Sequence, residues 1–223
     1  MVSGLVVLFF VRHSGRVTTR RKEQTVLGDI RVLLTTPALL SVVAVAFGVY
    51  FANGGLQSVL SLFVQSLHEG GSVAFTVGLI FGLSAVASAV SAVVSGRLSD
   101  TIGHRMMLAI ALGGAAIASA PLAFATSSSQ IMVGRFVMGL FLGGALPLIN
   151  VLAARIGGPE RRAGAIGVAQ MAGSFGLASG PIAGSAVAAA FWLGAPFLLI
   201  SAVLLIGAVW SFVALERSRL ERR

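Results

Sequence analysis

The chain has 223 residues, 57% of them apolar and only 10% charged, with 28 Gly, 6 Pro and no Cys. A soluble domain carries about a quarter charged residues, and a disordered tail lacks this apolar content, so both classes are excluded. The missing Cys removes a disulfide scaffold, a thiolate metal site and a cysteine nucleophile, and the net charge of +9 raises a nucleic-acid reading that the placement of the arginines then overturns.

In chain order, residues 1–11 come first. Val2 to Val11 is an apolar run too short to cross a bilayer, which takes about 20 residues. A signal peptide would carry its positive charge before the apolar run, whereas here Arg12 follows it, so 1–11 reads as the remnant of a preceding transmembrane helix. Residues 12–36 form a basic cytoplasmic linker. It is either solvated or, through Ile30, Val32, Leu33 and Leu34, an interfacial helix. Residues 37–215 then hold six apolar spans: Pro37 to Leu67, Val73 to Val94, Met106 to Thr126, Ile131 to Ala154, Ala165 to Ala190 and Trp192 to Leu215. The first is long and contains Asn53-Gly54-Gly55, an expected interruption. Residues 216–223 are a basic cytoplasmic tail. The predicted fold class is therefore an all-α membrane protein, a six-transmembrane-helix bundle.

The charges alternate between the two sides. One side receives Arg12, Arg16, Arg20, Arg21, Lys22 and Arg31, then Arg97 and Arg105, then Arg155, Arg161 and Arg162, and finally Arg217, Arg219, Arg222 and Arg223. The connections on the other side, at 66–72, at 126–130 and near Ala190, carry no Lys or Arg. By the positive-inside rule the arginine-bearing side is cytoplasmic, and the clusters face anionic lipid; no nucleic acid is involved.

Polar side chains inside the spans mark candidate cavity positions. Tyr50, Asn53 and Gln57 recur at spacings of three and four, on one helical face. Asn150 lies in the fourth span, and Gln170 and Ser174 share a face of the fifth. These residues either line a cavity or hydrogen-bond between helices. The third and sixth spans lack Asn, Gln and ionisable residues and are expected to face lipid, with Trp192 and Trp210 as interfacial anchors. Arg135 is the ionisable residue deep in a span. It either faces the protein interior with a partner or snorkels to the nearby outer surface.

Three motifs carry a resemblance. The connection after the second span reads Gly96-Arg97-Leu98-Ser99-Asp100-Thr101-Ile102-Gly103-His104-Arg105. Gly96 and Gly103 would permit a tight turn there, and Asp100 could pair with Arg97 or Arg105 or sit against a helix N-terminus. The fifth span holds Gly167, Gly176, Gly180, Pro181 and Gly184 in the spacing G-x8-G-x3-G-P-x2-G, with Ser185 where a further Gly is usual. The fourth holds Arg135 and Gly139. Together these resemble the major facilitator superfamily, its drug:proton antiporter branch most of all, and specifically the C-terminal half of that twelve-helix fold.

The resemblance implies two inverted three-helix repeats and alternating access. It also implies export of small amphipathic molecules in exchange for protons, with an N-terminal six-helix half as the missing partner. A carrier of sugars or organic anions, and a fragment that assembles with a partner half without transporting, are the alternatives. No Asp or Glu falls inside a span, since Asp29, Glu69, Asp100, Glu160, Glu216 and Glu221, like Glu23 of the linker, belong to connections or ends. A proton carrier needs a titratable group in its path, so that carboxylate is expected in the missing half. His13, His68 and His104 form no site with a carboxylate and a nucleophile, and neither a metal-ligand nor a phosphate-loop spacing occurs. No enzyme activity, cofactor or metal is expected.

Overall fold

The structure, a computed structural model, describes residues 36–67 and 72–220. The expected helix remnant at 1–11, nearly all of the 12–36 linker, and residues 221–223 of the tail lie outside the described residues. What is described is all-α: α1 (Pro37–Ser66), α2 (Val73–Ile102), α3 (His104–Ser119) with a 3-10 turn (Ala120–Phe124), α4 (Ser128–Leu142), α5 (Ala145–Ala190) and α6 (Ala195–Leu220).

The helix starts follow from local chemistry. Thr36 is extended and Pro37 opens α1, where the missing proline N–H costs nothing. The Ser72 hydroxyl accepts from the Phe75 N–H at 3.4 Å. At α4 the Ser127 hydroxyl accepts from the Gln130 N–H at 3.3 Å, and Gln130 Oε1 accepts from the Thr126 N–H at 2.8 Å, a reciprocal arrangement close to a capping box.

Among the described residues five stretches are long and apolar enough to cross a membrane, and the longest, Ser128–Ala190, has 63 residues. As one rod it would extend about 95 Å, roughly three times the hydrocarbon thickness. It instead folds back at Gly158, whose φ of 66° and ψ of −179° are non-helical, with Pro159 following. The side chains of Asn150 and Gln170 meet across the fold at 2.8 Å. The fourth span is thus α4 continued by the α5 segment up to Gly158, and the fifth is the α5 limb from Pro159 to Ala190. That gives six crossings.

Packing obeys an internal symmetry. The principal contacts are α1 with α5, α2 with α4, α3 with α6, α1 with α6 and α3 with α4. Exchanging the first span with the fourth, the second with the fifth and the third with the sixth carries α1–α5 onto α4–α2 and α1–α6 onto α4–α3. It leaves α3–α6 in place. Two inverted three-helix repeats produce this pattern.

Three sequence expectations change. Asn53-Gly54-Gly55 does not interrupt α1, because these glycines serve close approach: a Cβ on Gly54 would stand 2.6 Å from the Leu177 carbonyl oxygen, and one on Gly55 3.2 Å from that of Gly180. The second span does not end near Val94. α2 continues to Ile102 and stops at Gly103, whose φ of 93° is the left-handed region. The third span is not mainly lipid-facing, since half of its apolar window is buried against 22% for α2. Without an Asn, Gln or ionisable side chain in its span from Met106, α3 still packs, whereas α2 exposes Phe75, Leu79, Val86, Val90 and Val93.

The two glycine environments predict opposite signs on substitution. Gly78→Ala and Gly82→Ala point into open space and should raise thermal stability in detergent by up to about 1 kcal/mol through helix propensity. Gly176→Ala and Gly180→Ala drive a methyl into the α1 backbone and should lower it by about 1–3 kcal/mol.

Candidate functional site

Three of the polar residues inside the bundle form one connected chain. The Tyr50 hydroxyl donates to Gln170 Oε1 at 2.9 Å, and Gln170 Nε2 donates to Asn150 Oδ1 at 2.8 Å. Three spans are joined: α1 through Tyr50, the fifth through Gln170 and the fourth through Asn150. All three residues are half-buried. Gly173 makes the junction fit, because a Cβ there would lie 2.5 Å from the Tyr50 ring. Gln170 is engaged at both ends of its amide, so its orientation is fixed by the pattern of donors and acceptors.

The remaining cavity candidates surround this chain without joining it. Asn53 is half-buried one turn beyond Tyr50, and Gln57 is exposed a turn further. Ser174 is exposed, and its hydroxyl donates to the Gln170 carbonyl of its own helix at 3.0 Å.

Arg135 stands elsewhere, on α4 against α2. It is 5% exposed, so it does not snorkel to the outer surface. Its guanidinium carbon lies 5.5 Å from the centroid of the Phe81 ring, a cation–π distance, and Nη1 approaches Met138 Sδ at 3.8 Å. Nε has no hydrogen-bond partner among the described residues. A buried guanidinium facing an aromatic ring, with no carboxylate among the described residues beside it, is a costly arrangement in a membrane helix.

The helix-packing motif separates into working and idle members. A Cβ on Gly184 would stand 2.9 Å from the Gly55 carbonyl oxygen, and those on Gly176 and Gly180 would collide with the carbonyls of Phe47 and Phe51. Pro181 Cδ closes on Gly54, at 3.0 Å from a Cβ placed there. Gly167 has open space around it. In the loop motif, Gly96 lies inside α2 in open space and makes neither a turn nor a close approach; Gly103 alone makes the break. Arg97 and Asp100 are exposed on the last turns of α2, and Arg105 is half-buried in the first turn of α3.

One seam is absent from the sequence reading. On α2, Ser84 donates to the Arg135 carbonyl at 3.0 Å, Ser88 to that of Gly139 at 3.2 Å, and Ser91 to that of Leu140. Facing them, side chains on Gly139, Gly143 and Gly144 would strike Ser84, Ser88 and Ser95. The signal was present: Ser84, Ser88, Ser91 and Ser95 recur at spacings of four, three and four, which is one helical face. Among the described residues no group of three or more His, Cys, Asp or Glu could hold a metal ion.

Residues 71–223 match the family model of the Major Facilitator Superfamily. Multidrug resistance protein MdtG of Salmonella dublin is 27% identical over 217 residues, covering 96% of this chain and 54% of that protein. The protein of the same name in Salmonella typhimurium is 28% identical over 218 residues, with 97% and 54% covered. The chain spans about half the length of the curated relatives it matches. With apolar spans folded as two inverted repeats and most of its length under the family match, this chain is an integral multi-pass membrane protein that belongs to the Major Facilitator Superfamily, a family of transporters and not of enzymes.

Proposed function

We propose that the chain is the C-terminal six-helix half of a carrier that exports small amphipathic, drug-like molecules by alternating access, in exchange for protons. The observation that carries this reading is the Tyr50–Gln170–Asn150 chain, a neutral hydrogen-bonding line across three spans within the hydrocarbon depth. With Gln170 engaged at both ends, the Asn150 amide N–H and a Tyr50 hydroxyl lone pair are left to meet a ligand, one donor and one acceptor in apolar surroundings. Such a lining suits hydrophobic substrates recognised loosely. Sealing of Arg135 between α2 and α4 speaks against an organic anion at this chain, because the charge is not offered there. The name of the relatives, multidrug resistance protein, agrees with the drug reading.

In this reading the arginine-bearing side is cytoplasmic, the membrane is the cell membrane, and the proton-carrying carboxylate comes from outside this six-helix unit. The unit moves as a body because α1 and the fifth span touch backbone to backbone, and a six-helix partner rocks against it.

The purified chain in proteoliposomes should therefore show no proton-driven efflux of a lipophilic dye. Efflux that runs on a proton gradient and survives Arg135→Ala would contradict the proposal. Binding should nonetheless be measurable by calorimetry in detergent, and Gln170→Leu should weaken it about three- to tenfold. The Tyr50→Phe and Gln170→Leu pair should show a coupling in stability of about 0.6–1.7 kcal/mol, the range for hydrogen bonds between membrane helices. A Gln170→Leu chain that loses stability yet binds the dye unchanged would reduce the polar line to a structural tie.

A further inference from the structure

A crevice of about 320 Å³ opens between α1, α3 and α6. Phe47 and Gly48 of α1, Leu112 of α3, and Val203, Gly207 and Trp210 of α6 form its walls. Two glycines hold it open: a Cβ on Gly48 would come within 3.3 Å of Val203, and one on Gly207 within 3.4 Å of Leu112. Its single hydrogen-bonding side chain is the Trp210 indole, and Phe47, Ile206 and Trp210 at its mouth are exposed. An open slot with walls of this kind inside a bilayer takes up hydrocarbon, since nothing in it can replace the hydrogen bonds of water.

The helices that wall the crevice lead to arginines on one side of the membrane. Arg105 precedes Leu112 by seven residues on α3, and Arg217 follows Trp210 by seven on α6. Seven residues complete two helical turns, returning to the same face about 10 Å along the axis. Because α3 and α6 run in opposite directions and pack together, both steps lead to the same membrane surface. Arg105 also engages another group of the protein, and a guanidinium has five N–H donors to share. In the sequence Glu216 sits one residue off that register.

We propose that this crevice binds an anionic phospholipid of the arginine-bearing leaflet, one acyl chain lying between α1 and α6 against Leu112 and the phosphate flanked by the Arg105 and Arg217 positions. Trp210 stands at the level where chain meets headgroup, the usual depth of an interfacial Trp. This site is distinct from the polar line and does not rest on the export reading.

The sequence has 2 Trp, so the full chain carrying Trp192→Phe reports from Trp210 alone. In vesicles mixing brominated-chain phosphatidylglycerol with plain phosphatidylcholine, and then the reverse, Trp210 quenching should show at least threefold preference for phosphatidylglycerol. Arg105→Gln with Arg217→Gln should bring the preference to unity while brominated chains of either lipid still quench. Gly207→Leu, which fills the slot, should also abolish the preference, and the arginine pair decides the matter if that variant misfolds. Equal quenching in the parent, or a preference that survives loss of both arginines, overturns the proposal. So does quenching by neither lipid, the result expected if a second copy of the chain covers the crevice.

Discussion

The backbone contact between α1 and the fifth span is what the rest of this structure depends on. Between helices in lipid there is little hydrophobic gain, so association rests on close packing and hydrogen bonds. Gly54 and Gly55 on one side and Gly176, Gly180 and Gly184 on the other bring carbonyls to distances a side chain would forbid. The same contact sets the polar line. Tyr50 lies about one turn before Gly54, and its ring passes over Gly173, about one turn before Gly176. Only with the helices this close does the phenol reach Gln170. A methyl inserted at Gly176 or Gly180 would therefore act on the site as well as on stability.

Its counterpart under the internal symmetry, the α2–α4 seam, solves the same problem differently. Here glycines on α4 face serines on α2, and the serine hydroxyls bond to α4 carbonyls. Each hydroxyl finds an acceptor without leaving the hydrocarbon, which satisfies the demand the bilayer places on every polar group. The α1–α5 seam has shape alone, apart from the polar line at one end. Two seams related by the internal symmetry, each joining one repeat to the other, thus carry unlike chemistry, one tied by hydroxyl hydrogen bonds and the other by van der Waals fit.

Much of this was legible in the sequence, and the reason is the bilayer. Six apolar stretches and the alternation of arginine report crossings directly, because no other backbone arrangement survives in hydrocarbon. The face shared by Tyr50, Asn53 and Gln57 followed from helical period, as did Gln170 with Ser174. What period does not give is the partner. Tyr50 meets Gln170 while Asn53 and Gln57 join no part of the line, a distinction set by the crossing of α1 over Gly173. Glycine was the hardest residue to read, since its meaning depends on the neighbour. Asn53-Gly54-Gly55 looks like a break and is a contact, Gly96 looks like a turn and is an ordinary helical position, and Gly103 and Gly158 are the true breaks.

Arg135 shows how the two seams bear on function. An arginine in a membrane helix costs at least about 2.5 kcal/mol on insertion scales, and no carboxylate among the described residues offsets it. Phe81 and the polarisable sulfur of Met138 recover part of that, and the Ser84 bond to the Arg135 carbonyl fixes its turn of α4 against α2. The charge is thus held at the hydroxyl-bonded seam, whereas the neutral line of Tyr50, Gln170 and Asn150 sits at the seam of α1 with the fifth span. The charge of Arg135 and the Tyr50–Gln170–Asn150 line are kept on separate helix pairs. Under the proposed export reading a ligand at the neutral line would meet dipoles only, and any influence of Arg135 on that line passes through the packing of α4 and its continuation in α5, the segment that carries Asn150.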